Sequence, residues 1–155
     1  MKPKALKLLL NLYPPYIGAG IKVEYIAENW QETRVSLKKR WYNKNAVGTH
    51  FGGNLYSMTD PHLMLMLMQI LGKQYYVWDK TASIEFIKAS KKKVTATFQI
   101  TDEQLDEIKA KTAKGEKYLP EFEIDLIDEE QNLIARVHKT IYIKKKAKNN
   151  FCVRD

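Results

Sequence analysis

Between Asn45 and Asp60 the chain reads Asn45-Ala-Val-Gly-Thr-His-Phe-Gly-Gly-Asn-Leu-Tyr-Ser-Met-Thr-Asp60, and this run holds groups suited to acyl chemistry. Asn45 supplies an amide able to orient a water or a carbonyl. Gly52 and Gly53 have no side chains, so a ligand can come close to their backbone N–H groups. If a helix starts there, those N–H groups are unpaired and sit at the positive end of its dipole. Such a donor is worth about 3–4 kcal/mol to a developing oxyanion. Asp60 follows among Leu55, Met58, Leu63 and Met64. A carboxylate in that company is costly unless paired or used, which makes it a candidate general base or nucleophile. A second reading stands beside this one. Asp60-Pro61 also reads as a helix N-cap followed by proline at the first helical position. If the helix starts near Gly53 instead, Pro61 lies inside it and should kink it.

The remaining candidates are weaker. His50 is close enough to the glycines to touch a ligand, whereas His62 and His138 read as ordinary packed or exposed histidines. No His/Cys/Asp cluster has metal-ligand spacing, and no phosphate-loop or dinucleotide fingerprint occurs, so no metal or separate cofactor is expected. The single cysteine, Cys152, cannot build a framework of bridges and lacks a fixed base, which points to a reducing, cytoplasmic compartment.

A central helix must carry this segment. It is expected from about Asn54 to Leu71, closed by Gly72, and its residues Leu63 to Leu71 are apolar on nearly every face. Its methionines Met64, Met66 and Met68, with Trp78, would set the depth of any pocket, although core filling is their commoner use. Strand-like alternation marks Ile21 to Ala27, Val35 to Trp41, Val94 to Ile100, Phe122 to Leu126 and Leu133 to Ile143, the last interrupted by Lys139. In the run from Tyr76 to Phe86, the residues Tyr76, Trp78, Ala82, Ile84 and Phe86 share one face. A further helix from Asp102 to Ala113 starts at a Thr101/Gln104 capping box and ends at Gly115. The expected architecture is α+β, an antiparallel sheet of about six strands wrapped around one long buried helix. Sheet edges left open would be covered by a second subunit.

With 155 residues the chain suits one domain, 1–155, able to bury roughly 70% of its unfolded surface. Residues 1–15 read as a short docking helix that stops at Pro14-Pro15, and 147–155 as a disordered tail. The net charge of +8 favours acidic partners, but the basic residues read as widely spread. The acidic strand Glu121 to Asp125 dilutes any basic face, so no nucleic-acid partner is expected. The longest apolar stretch is too short to span a bilayer, so no membrane partner is expected either.

The run Asn45-x-x-Gly48-x-x-Phe51-Gly52-Gly53-x-Leu55-x-Ser57-x-x-Asp60 resembles the signature of hotdog-fold thioesterases of the phenylacetate-degradation type. The general resemblance covers most of residues 16 to 146, and over its full length the chain is more similar still to a bacterial hotdog family of unknown function. The resemblance implies hydrolysis of an acyl thioester, of coenzyme A or an acyl carrier, with Asp60 as base or nucleophile. The Gly52 amide would hold the carbonyl, and Asn45 would polarise it or place the water. It implies a site at a homodimer interface, in a dimer or dimer of dimers, completed by the partner's Asp79 and Thr81. Gly53, His50, Phe51 and Trp78 would contact substrate. Coenzyme A enters only as part of the substrate. Phe51 stands where the signature carries histidine, and Pro61 follows the acid. Both departures leave open a non-catalytic acyl-binding protein on the same fold.

Overall fold

The computed structural model describes residues 1–147; Cys152 and all but the first residue of the expected tail lie outside the described residues. Two short helices, α1 (Pro3–Asn11) and α2 (Pro14–Ala19), lead into strands β1 (Ile21–Ile26) and β2 (Glu32–Leu37). Helices α3 (Gly52–Ser57) and α4 (His62–Leu71) follow, then strands β3 (Tyr75–Phe86) and β4 (Val94–Gln99). Helix α5 (Asp102–Thr112) and strands β5 (Lys117–Tyr118), β6 (Glu121–Asp128) and β7 (Leu133–Lys145) complete the described elements. The strands form one antiparallel seven-stranded sheet in the order β1-β2-β4-β6-β7-β3, with β5 a two-residue addition to β7. Its inner face packs on α3 and α4 through a single core that includes Val35, Val94, Phe98, Leu126, Val137 and Ile141.

Three expectations need correction. The Pro14-Pro15 pair does not simply end a helix but opens α2, because a proline's missing N–H costs nothing in a first turn. Trp41 does not belong to β2: the strand ends at Leu37, and the Trp41 side chain is 83% exposed. The central helix is not continuous. Its first part ends at Ser57, the chain turns through Met58–Pro61, and α4 begins at His62 with Pro61 as its N-cap residue. Proline has no N–H to continue a helical ladder, so both readings of Asp60-Pro61 were partial. The Asp60 side chain makes no cap hydrogen bond, and the Asp60–Pro61 peptide is cis.

The other helix signals hold. Thr101 and Gln104 exchange both bonds of a capping box at α5, and Gly72 closes α4 at φ 77°, a conformation that favours glycine. Helix α4 is less enclosed than its composition suggests. His62, Leu63, Met66, Leu67 and Leu71 are buried, but Met64 is partly open and Met68 is exposed.

Strand β3 carries four of the candidate positions, Trp78, Asp79, Thr81 and Phe86, and it is irregular. Asp79 pairs with Ile141 and Thr81 with Thr140, so Lys80 is bulged out between them. One extra residue shifts the strand's alternation by one. The shared face expected for Tyr76, Trp78, Ala82, Ile84 and Phe86 is therefore split. Ala82, Ile84 and Phe86 stand opposite Lys139, Val137 and Ala135, whereas Trp78 stands opposite Tyr142. Val77 and Asp79 share the inner face with Ile143 and Ile141, and Trp78 stacks on Tyr142 at 4.2 Å on the outer one. Beyond β3 the described sheet has no further strand.

Candidate active site

The run that suggested the chemistry, Asn45 to Asp60, is folded into two separate stations. The first surrounds the start of α3. Asn45 directs its whole amide into its own loop: Oδ1 accepts from Val47 N and Thr49 N, and Nδ2 donates to Thr49 Oγ1 and His50 O. It therefore shapes the turn before α3. The His50 ring is buried and bonds through Nε2 to Lys92 O at 2.6 Å. Burial holds its pKa below the ordinary imidazole value, and the nearby Lys39 charge works in the same direction.

Phe51 is the N-cap residue of α3, and the N–H groups of Gly52 and Gly53 are in the first turn, where the helix offers them no acceptor. Both glycines are covered by aromatic rings. A Cβ on Gly52 would lie 2.9 Å from Phe86 Cζ, and one on Gly53 would lie 2.5 Å from Phe51 Cε1. A cavity of about 280 Å³ opens here, lined by Asn45, Thr49, His50, Gly52, Leu55 and the Phe86–Ser90 segment.

The second station is built at the break between α3 and α4. The Asp60 side chain is 50% exposed, and its Oδ1 accepts a hydrogen bond from Lys139 Nζ at 3.2 Å. Lys139 comes from β7, 79 residues away, at an inward position; its side chain is only 1% exposed. The same ammonium stands 3.1 Å from Asp79 Oδ1. That second contact is an ion pair in poor hydrogen-bonding alignment, since the buried Asp79 Oδ1 has no hydrogen-bond partner among the described residues. Burial holds the Asp79 carboxyl above the ordinary aspartate range; Lys139 opposes this and Asp60 adds to it.

Behind Asp60 lies a second polar layer. His62 is fully enclosed between Tyr16 and Phe98, and burial pushes its pKa down to about 3, with the Lys139 charge assisting. A neutral His62 can donate Nε2–H to Tyr16 Oη, 2.8 Å away, and Tyr16 donates its hydroxyl hydrogen to the Asp60 carbonyl oxygen. The short helix α2 thereby pins the backbone of the acid.

Of the residues singled out from sequence, Asn45, His50 and Gly52 line one cavity, with Phe51 and Gly53 beside it. Asp60 and Asp79 meet at the other station. Thr81 and Trp78 join neither. The Lys80 bulge turns Thr81 to the outer face, where it lines a groove with Glu121, Glu123 and His138. Asp60 is not among the residues that line the cavity at Gly52. Lys139, Tyr16 and Phe86 had no assigned role in the sequence reading. Only Lys139 carried a signal: a lysine at an inward position among Ala135, Val137, Ile141 and Ile143 must find a counter-charge.

This architecture is the hotdog fold. Solved structures share it across nearly the whole chain at low identity. PA5026 of Pseudomonas aeruginosa, a protein of unknown function, has a TM-score of 0.80 at 14% identity and covers 94% of this chain and 97% of its own. The Haemophilus influenzae thioesterase HI1161 has a TM-score of 0.68 at 14% identity, covering 97% and 95%. The E. coli PaaI protein of the phenylacetic acid degradation operon has a TM-score of 0.63 at 14% identity, covering 93% and 92%. No functionally curated protein matches. Residues 3–143 match one family model, and the chain belongs to that family: the domain of unknown function DUF4442.

Proposed function

We propose that this protein is an acyl-CoA thioesterase that works as a homodimer joined along the bare β3 edge, or as a dimer of such dimers. The reading is carried by one observation: a half-exposed aspartate, fixed by a buried lysine, stands at the helix break that follows α3, whose first turn holds the unpaired glycine amides. Two antiparallel copies would set the acid of one against the amides of the other. Thioesterases with this fold support the reaction class.

In this reading Asp60 takes a proton from a water, and the water oxygen bonds to the thioester carbonyl carbon. The Gly52 N–H donates to the oxyanion formed. Collapse breaks the C–S bond, and the proton passes to the departing thiolate, giving a carboxylic acid and free coenzyme A thiol. Asn45 and His50 shape the loop, and the Phe51 and Phe86 rings wall the acyl entrance. An acyl carrier is an alternative thiol donor.

A panel of acyl-CoA thioesters with free-thiol detection tests this. Asp60→Asn should lower turnover by about 10²–10⁴-fold. Unchanged turnover overturns the assignment. A second reading, acyl-CoA binding without hydrolysis, is favoured by the pairing of Asp60 with Lys139 and by the fully engaged Asn45 amide. Calorimetric binding of acyl-CoA with no thiol release by the wild type would select it.

A further inference from the structure

The positive charge of this chain is not spread over its surface. Residues 1–23 and 33–59 contain nine lysines and arginines and no acid, against a net charge of +8 for the whole chain. The fold brings these two segments together. Asn43 Nδ2 donates to Ala19 O at the end of α2 and to Lys38 O, Lys38 N donates to Gly20 O, and Asn54 of α3 reaches Asn43 O. Among the described residues, Lys22 and Arg34 pair with acids, and Lys7 Nζ donates to Glu24 O. The other cations of the two segments, Lys2, Lys4, Lys38, Lys39, Arg40 and Lys44, form no ion pair among the described residues.

The same region shows an apolar face. Helix α1 runs along the free edge of β1, where Asn11 mimics a neighbouring strand: Nδ2 donates to Val23 O and Oδ1 accepts from Val23 N. Leu6 and Leu10 point into the core. The opposite side holds Leu8, Leu9 and Leu12, which are 61%, 58% and 63% exposed. Tyr13 and Ile17 extend this face through α2 toward the loop carrying Trp41 and Tyr42, all of them exposed.

We infer that this face of α1, α2 and the 38–44 loop docks on an anionic lipid surface. Leucines and aromatic rings flanked by lysine and arginine form the composition of a helix lying in a membrane interface. The cations complement anionic headgroups. A second copy of the chain would bring like charge against like. Protein partners also fit poorly, because stable interfaces are depleted in lysine. No described helix is long and apolar enough to cross a membrane, so the contact is peripheral. The face surrounds β1, at the opposite end of the sheet from β3, so pairing of two copies through β3 leaves it open. This inference does not depend on the thioesterase reading. It also departs from the sequence expectation of no membrane partner, which took the cations as dispersed.

Co-sedimentation of the full chain with vesicles tests it. Binding is expected to an equal mixture of phosphatidylcholine and phosphatidylglycerol, and much less to phosphatidylcholine alone. Exchanging Lys38, Lys39 and Arg40 for glutamine should weaken partition roughly fivefold per cation on the anionic vesicles only. The triple variant Leu8→Ser, Leu9→Ser, Leu12→Ser should weaken it about tenfold or more at every salt concentration. Five of the six side chains are exposed and Lys39 is half-buried, so thermal unfolding should change little. Absence of binding to anionic vesicles overturns the inference. So does a leucine variant that partitions like the wild type, which reduces the attraction to charge and predicts equal binding to oligonucleotides. A wild type whose assembly shrinks on size exclusion when the leucines are replaced, and which ignores vesicles, would show a second copy on this face.

Discussion

The two stations of the site are built from different materials. The glycine station is mostly local, a loop of residues 45–50 tied by its own asparagine and a first helical turn beside Phe51, with Phe86 and the Lys92 carbonyl brought in from β3 and the segment after it. The acid station is long-range, joining α2, the helix break, β3 and β7 through one ammonium and one hydroxyl. A local arrangement can be altered at small cost to folding. The buried ammonium of the acid station cannot be removed so cheaply, because it and the carboxylates compensate one another. Stability should therefore reside at the acid end, and changes at the glycine end should appear in turnover.

The strongest way to break that contrast is Lys139→Met. It strands Asp79 and frees Asp60, and removing one partner of a buried pair costs about 3–5 kcal/mol. Because Asp60 is half exposed and can be rehydrated, a loss of about 3 kcal/mol in urea unfolding is expected, at the lower end of that range. A loss below about 1 kcal/mol, the worth of an exposed pair, would mean that the cluster does not anchor the fold.

Acid sensitivity provides the next test. His62 is held neutral, with a pKa of about 3 against 6.5 for the free side chain. A depressed folded pKa gives stability that is complete above the unfolded value and falls as pH drops toward the folded one. Stability should decline by up to about 1.4 kcal/mol per pH unit from this residue below pH 6.5. His62→Met should flatten the decline, and a wild-type curve that stays level to about pH 4 would place a charged imidazole at this position.

Asp79 gives a smaller effect of opposite sign. Its raised pKa means that the folded state favours the neutral acid, so its ionisation destabilises as pH rises through that pKa. Asp79→Asn should raise the unfolding temperature at neutral pH, and the gain should disappear as the solution is acidified below the carboxylate range. A variant less stable than wild type at neutral pH would show that Asp79 mainly serves Lys139.

The contrast between the stations also explains what could be read from the chain. The spacing from Asn45 to Gly52-Gly53 to Asp60, the capping box at Thr101 and the alternation of β4, β6 and β7 are local patterns; the alternation points to an antiparallel sheet around a helix, and the hotdog fold came from the resemblance carried by that spacing. The acid's surroundings depend on residues 44 to 79 positions away, which no periodicity announces. The Lys80 bulge was hidden for a related reason. A single extra residue leaves the composition of β3 unchanged but reverses which side Trp78 occupies relative to Phe86, and Thr81 relative to Asp79. Proline at 61 promised a disturbance, but two short helices and a kinked long one look alike in sequence.

The smallest structural effect is expected at Gly52, and it separates the stations most cleanly. Its φ is not in the left-handed region, so alanine strains no backbone there. The added Cβ would meet only the far end of Phe86, an exposed ring at the close of β3 that can swing aside. Gly52→Ala should therefore cost under about 1 kcal/mol of stability, far less than Lys139→Met. The displaced ring and new methyl would crowd the approach to the amide, and a misplacement of this size should lower kcat/KM by about tenfold or more. Unchanged kcat/KM in a stable variant would mean that the thioester carbonyl does not dock at this amide. The acid station would then act without it.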